Sequence, residues 1–249
     1  DSGVGYCFSR CNSVSLNKIC ESLDIEPPDE AGITKHQFID MCNFQADIID
    51  DRGIVDAPKP KTKNTRIVIP YYDEKGELYK NRFRDSVDGY DGQKFSWNYS
   101  RDKKPIIPYN LNKWGHSAPN GVLVEGETDV IALEHAGITN SLGFAGASTF
   151  NYTAHKKLIE NVKDLFVWYE KDKASREFLK KVSVAKPDAR VLSHKEYKDP
   201  CEFWVKSPDT MKDWFKKAIE SAPLITEIIE NEHDEERLKL LQGPHVKEF

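Results

Sequence analysis

No apolar run in this chain approaches the eighteen or so residues that a membrane-spanning helix requires, so no membrane partner is expected. No segment has the form of a secretory signal peptide. The chain opens Asp1-Ser2-Gly3 without an initiator Met, as a processed protein or a piece of a longer one would. The five cysteines (Cys7, Cys11, Cys20, Cys42, Cys201) are odd in number and irregularly spaced, which argues against a secreted disulfide framework and for a reducing cytoplasm. The seven histidines form neither a His-x-x-x-His pair nor a Cys/His ligand set, so a catalytic zinc site is not expected. Internal repeats and long low-complexity tracts are also lacking. The formal charge of −5 argues against a uniformly basic nucleic-acid binder, although a whole-chain charge conceals local patches.

What is present is enough for one to two domains: 249 residues, 39% of them hydrophobic. The stretch from Val122 to Gly137 is the most informative. Val122-Leu-Val124 reads as a short apolar strand that delivers a carboxylate, Glu125, followed by Gly126 and a helix starting at Thr128-Asp129. The pattern returns at Leu165-Phe-Val-Trp-Tyr169, another apolar strand, which ends in Glu170 and Asp172 before a second helix. Two neighbouring parallel strands ending in acids would set a carboxylate cluster at the carboxyl edge of a sheet, where open α/β folds build their sites. Hard divalent cations favour such oxygen ligands, and magnesium takes one or two carboxylates together with substrate phosphates. The cluster therefore points to phosphoryl-transfer chemistry.

Around this centre the expected elements fall into two styles. A helix is expected over 34–50, then a Pro/Lys loop over 57–65 and a hairpin with arms at 66–72 and 77–84 around the turn Asp73-Glu-Lys-Gly76. A short strand follows at Lys94-Phe-Ser-Trp97. From Gly121 the rhythm becomes strand 121–125, helix 128–136, strand 139–143, helix 152–161, strand 165–169, helix 173–185, strand 190–193 and helix 208–221. Such alternation with short loops implies a parallel sheet. A charged helix is expected over 225–249.

The acid pattern resembles the Toprim domain shared by topoisomerases and primases. Glu125-Gly126 and Asp129 fit that family's Glu-Gly-x-x-Asp motif, and Tyr169-Glu-Lys-Asp-Lys173 fits its later Asp-x-Asp motif. The likeness extends to the catalytic cores of DnaG-type primases and phage primase-helicases. Their Arg-Ile-x-x-Pro-x-x-Asp-x-x-Gly hairpin is matched by Arg66 to Gly76, and their Lys-Phe-x-Trp element by Lys94 to Trp97. Their Lys-Asp-Pro-x-Glu/Asp element is matched by Lys198-Asp-Pro-Cys-Glu202, and their last core helix is similar to Phe215–Ile225. Gly5-Tyr-Cys-Phe-Ser-Arg-Cys11 resembles the second half of the primase zinc ribbon. The spacing between Cys7 and Cys11 is one residue too long, and no first ligand pair precedes it.

The resemblance implies an α/β fold: a Toprim parallel-sheet domain preceded by a small mixed α+β N-terminal catalytic subdomain. The expected divisions are a ribbon-like remnant at 1–24, a basic subdomain at 25–115, Toprim at 116–207 and a helical segment at 208–249. It also implies primer synthesis on single-stranded DNA from ribonucleoside triphosphates, with Mg2+ or Mn2+ as cofactor and a replicative helicase as partner, in cis or in trans. The expected metal ligands are Glu170 and Asp172, assisted by Asp129 or Asp199, with Glu125 as a ligand or proton acceptor. Zinc would fall to Cys7 and Cys11.

Between residues 59 and 113 thirteen Lys and Arg face seven Asp and Glu, a local positive excess that suits a groove for template phosphates. Arg66, Arg82, Arg84, Lys94 and Lys104 are the expected nucleotide or template contacts; Tyr72, Trp97 and Tyr99 could stack bases if exposed. The family usually has Asp where this chain has Glu170, and Gly where it has Ser175. Two other functions share the same acids: a Toprim-type metal-dependent nuclease, and a nucleic-acid-binding replication scaffold with weakened catalysis.

Overall fold

A computed structural model of the chain describes residues 32–60, 64–87, 94–98 and 104–231. Cys7, Cys11, Cys20 and Tyr99 lie outside the described residues, as does the expected charged helix beyond its first turns at 225–231. Among the described residues no helix is long and apolar enough to cross a membrane.

Two short helices open the described chain, α1 (Lys35–Cys42) and α2 (Ala46–Asp51). The single helix expected over 34–50 is thus interrupted, for a local reason. Asn43 adopts the left-handed conformation (φ 53°), which Asn tolerates better than most residues. The turn sends the Phe44 ring onto Phe38 and His135 rather than along the helix. Thr34 and Gln37 close the start of α1 as a capping box, each side chain accepting from the other's backbone amide.

An antiparallel sheet follows in the order β1 (Val55–Pro58), β2 (Thr65–Tyr72), β3 (Leu78–Arg84), β4 (Phe95–Trp97). The expected hairpin is β2–β3, and β4 is the expected short strand. β1 corrects the reading of 57–65 as loop throughout. Pro58 pairs with Thr65 at the last rung of an edge strand, where a missing amide is tolerated.

The second sheet is parallel, in the order β6 (Ser141–Gly143), β5 (Asn120–Val124), β7 (Asp164–Trp168), β8 (Arg190–Leu192). Its helices are α3 (Glu127–His135), α4 (Tyr152–Ile159), α5 (Lys173–Ala185), α6 (Pro200–Lys206) and α7 (Pro208–Ser221). α6 was absent from the expected elements; it is short and starts at Asp199-Pro200, with Pro at the first helical position where no amide is needed.

The strands read as unbroken apolar runs because both faces are covered. Side chains alternate along each strand. Val122, Val124, Phe166 and Trp168 enter one core with Val130, Leu133, Phe203, Met211 and Phe215. Leu123, Leu165 and Val167 enter the other with Leu158, Ile159, Phe178 and Leu179. The first core also contains Phe38, Ile67, Ile69 and Tyr71, so the antiparallel subdomain and one face of the parallel sheet share a single hydrophobic interior.

Strand order reverses at β5, which pairs with β6 on one side and β7 on the other. Adjacent chains leave the sheet there in opposite directions and open a crevice at the carboxyl ends. Gly143, at the end of β6, lets the chain pass close above it: a Cβ there would stand 2.7 Å from the Gly126 carbonyl oxygen.

A buried ion pair clamps the antiparallel sheet to this edge. Arg82 Nη1 of β3 lies 2.6 Å from Glu127 Oε1 in the first turn of α3, and the Tyr71 hydroxyl donates to the same oxygen. Side-chain exposure is 13% for Arg82 and 3% for Glu127, so removing one partner strands the other away from water. Glu127→Ala is expected to destabilise the fold by about 3–5 kcal/mol, and Glu127→Gln by less, because it still accepts from Tyr71. Urea unfolding monitored by tryptophan fluorescence measures both.

Candidate active site

Glu125 follows β5 directly and Glu170 stands two residues beyond β7, at the point where strand order reverses. Asp129 is in the first turn of α3. Asp172 and Asp199 are the N-caps of α5 and α6. The fold therefore brings together all five carboxylates expected from sequence, and the ionisation of Glu125, Asp129 and Glu170 is each perturbed by at least two of the others.

Their surroundings differ. Burial, reinforced by Glu170 and Asp172, pushes Glu125 up to about 7. Its Oε1 is buried and has no hydrogen-bond partner among the described residues. Asp129 is 5% exposed; burial first, then Asp199 and Glu170, raise its carboxyl well above the usual range, although the Cys201 amide donates to its Oδ1 at 3.2 Å. Asp199 is raised mainly by burial and accepts from the Glu202 amide at 2.7 Å. Glu170 is likewise raised mainly by burial. Asp172 is the exception: the Ser175 amide, donating to its Oδ1 at 2.9 Å, holds it below the usual carboxylate range.

Ser175 completes a capping box by accepting from the Asp172 amide at 3.1 Å. The Ser175 backbone amide orients the Asp172 carboxylate, and the Ser175 hydroxyl ties down the Asp172 backbone. Between Glu170 and Asp172, Lys171 adopts a left-handed conformation (φ 60°), unusual for a residue other than Gly, Asn or Asp, and its Nζ donates to the His194 carbonyl at 3.0 Å. This tight turn brings two acids one residue apart to the same edge.

One cation sits among these acids. Lys198 Nζ lies 2.9 Å from Glu170 Oε2 and 3.3 Å from Asp172 Oδ2. Among the described residues no three Asp, Glu, His or Cys side chains converge at metal-ligand distances. The donor set nevertheless suits a hard divalent cation: all-oxygen, with an orphaned buried oxygen on Glu125, and with one or two carboxylates sufficient when phosphates supply the rest. Glu125, Glu170 and Asp172 are the residues that could hold such an ion, with Asp129 and Asp199 behind them.

The expected nucleic-acid contacts separate into two kinds. The arginines turn inward. Arg66 lies over the Phe83 ring at 3.6 Å and 3.8 Å from Asp85; Arg82 is engaged by Glu127 and lies over Phe95. Arg84 is 2% exposed and its Nε donates to the Ser86 carbonyl at 3.2 Å, so a contact with nucleic acid would require it to leave that position. The lysines stay nearer solvent: Lys104 is exposed beside the Tyr79 ring, and Lys94 is half-buried and close enough to Asp199 for its charge to favour the ionised carboxylate. Tyr72 and Trp97 are half-buried, with Trp97 edge-on to Tyr71 at 5.1 Å.

Sequence reasoning assigned no role to Glu127 or Lys198. Lys198 was quoted only as part of the Lys-Asp-Pro element; its position directly before an acid of the cluster was the available signal. Glu127 carried one too, an acid in the first turn of a helix whose middle, Val130 to Leu133, is apolar.

Residues 122–204, about a third of the chain, match the family model described as Toprim-like. No curated protein matches the chain by sequence. Among solved structures, the Escherichia coli primase catalytic core is similar with 17% identity and a TM-score of 0.64, covering 79% of this chain and 75% of that one. The DnaG primase catalytic domain bound to single-stranded DNA gives 18% identity and a TM-score of 0.63 over 79% and 74%. The RNA polymerase domain of Mycobacterium tuberculosis DnaG gives 15% and 0.61 over 86% of each chain. The fold is that of the DnaG-type primase catalytic core with its Toprim domain.

The raised ionisation of Glu125 has a definite sign. The folded state binds its proton more tightly than the unfolded chain does, so the group's favourable contribution is complete below its ordinary pKa of 4.5 and is lost as pH rises through about 7. Glu125→Gln removes the buried charge. In chelator it is expected to be more stable than the wild type at pH 8, by on the order of 1–2 kcal/mol after allowance for partial exposure, with little difference at pH 5. Thermal unfolding at the two pH values measures this.

Proposed function

We propose that this chain is the catalytic core of a DNA primase, joining ribonucleotides on a single-stranded DNA template. The observation that carries the reading is the carboxylate cluster at the strand-order reversal, clamped through Glu127 to a basic antiparallel sheet whose Lys94 approaches Asp199. A cluster of acids alone would suit many phosphodiester chemistries. An adjoining positive sheet supplies what templated synthesis needs in addition, a surface for the template and for the triphosphate.

The reaction is attack of a ribonucleotide 3′-hydroxyl on the α-phosphorus of the next nucleotide. A phosphodiester bond forms, the bond to the bridging oxygen breaks, and pyrophosphate leaves. A divalent cation, when bound, supplies neutralisation of the phosphate charge that builds up in this transfer. The protein's own groups position and orient. Asp172 is aimed by its capping box, Glu170 reaches the same space from the preceding turn, and Glu125 presents its orphaned Oε1 as a ligand or as the acceptor of the hydroxyl proton. Lys94 and Lys104 contribute attraction for phosphates, while Arg66, Arg82 and Arg84 hold the strands that carry them.

The longer Glu170 is compatible with this role: its common contact with Lys198 supports a carboxylate that reaches the space shared with Asp172. The Toprim-type nuclease is not favoured, since the likeness to primase cores extends over the basic sheet as well as the Toprim region. A helicase partner and a preference for ribonucleotides belong to this proposal as its finer parts.

Labelled-ribonucleotide incorporation on single-stranded DNA, with Mg2+ or Mn2+, tests it. Wild type is expected to make short products, and Asp172→Asn, which keeps the cap but removes the charge, to lose on the order of 100-fold or more in rate. Strand cutting without nucleotides, and no synthesis, would move the assignment to the nuclease.

A further inference from the structure

Lys198 stands where a metal ion would compete with it. Its ammonium contacts one oxygen of each of two carboxylates, Glu170 Oε2 and Asp172 Oδ2, at 2.9 and 3.3 Å. A divalent ion of magnesium's size binds carboxylate oxygens directly, at about 2.0–2.1 Å. The same two oxygens cannot serve both cations in that arrangement.

The backbone at Lys198 is fixed, whereas its side chain is not. The Lys198 amide donates to Glu202 Oε2 at 2.7 Å, and the next residue, Asp199, caps α6. The side chain is 54% exposed. It also lines a hollow of about 230 Å³ together with Glu170, Lys171, His194, Lys195 and Glu196, open space beside the acids in which the ammonium can change position. Displacement therefore needs only a rotamer change, with no rearrangement of strand or helix.

We propose that Lys198 is a built-in counterion: it neutralises Glu170 and Asp172 in the metal-free protein and withdraws when a divalent cation binds, so that it sets the metal affinity of the cluster. This rests on reading the cluster as the metal site. Two consequences of opposite sign follow. Without metal, loss of Lys198 leaves two acids unneutralised beside Glu125, Asp129 and Asp199, and stability falls. With metal, the competitor is gone, and affinity rises. A lysine that merely braced the fold would produce the first effect without the second, and one that only bound substrate phosphate would produce neither in the absence of nucleotide.

The test is a titration of the full chain with Mn2+ alone, free ion being followed by electron paramagnetic resonance. Wild type is compared with Lys198→Met, Lys198→Gln and Lys198→Arg; circular dichroism establishes folding, and Tm is measured in chelator. Lys198→Met and Lys198→Gln are expected to bind Mn2+ roughly two- to five-fold more tightly than wild type, the factor to which a partly exposed ion pair corresponds. They are also expected to have a lower metal-free Tm, with Lys198→Arg close to wild type in both. Equal or weaker Mn2+ binding by whichever neutral variant folds would overturn the role of Lys198, with the metal site left standing. Absence of Mn2+ binding by wild type and every variant would overturn the metal reading, and this inference with it. If neither neutral variant folded, equal affinity in Lys198→Arg and a folded Asp172→Asn would overturn it too, because weaker binding in Asp172→Asn is required of a shared site.

Discussion

Five carboxylates crowd one edge of a four-stranded sheet, and most of the local structure is arranged around their mutual repulsion. Each is relieved differently. Asp172 and Asp199 accept amides at the starts of α5 and α6, where the helix dipole also favours negative charge. Asp129 accepts the Cys201 amide, Glu170 shares the Lys198 ammonium with Asp172, and Glu125 retains its proton up to about pH 7. These devices let the cluster exist before any ligand arrives. They leave it under-neutralised, the condition in which an incoming cation gains most.

The second constraint is the attachment of the basic sheet to that edge. Arg82, Tyr71 and Glu127 form the clamp beside the acids, and a further pair, Arg52 with Glu134 at 2.6 Å, joins α2 to the far end of α3. Both pairs bridge residues far apart in sequence, and both are largely withdrawn from water. They sit on α3, the helix that follows Glu125, so the position of the antiparallel sheet and that of the first acid depend on the same element. Arginines are suited to this task by their planar, multiply donating heads.

Much of the architecture was legible in the sequence because its signals are local. β5, β7, α5 and α7 have strong apolar patterns and begin or end with turn residues or caps, and the acids that matter follow strands directly. The departures have equally local causes. Asn43 broke an apolar pattern that reads as one helix, because a left-handed residue leaves no periodic trace. β1 was hidden by Pro58 and by the Pro/Lys run that follows it; an edge strand tolerates a proline. The direction of Arg66, Arg82 and Arg84 was beyond sequence reasoning: in a half-buried strand an arginine serves a groove or an internal carboxylate depending on what lies across the interface, and Glu127 is distant in the chain. Lys198 was legible as part of a motif, but its contact with Glu170 arises only when the loop after β8 folds back over the end of β7.

The central claim is that the cluster holds a divalent cation and releases protons in doing so. Calorimetric titration of the chain with Mn2+ at pH 7, repeated in buffers of different ionisation enthalpy, tests it most directly. The account predicts net proton release on binding, because Glu125 is partly protonated at that pH, and a smaller release in Glu125→Gln. Binding with no exchange of protons, or with the same release in both proteins, would contradict it.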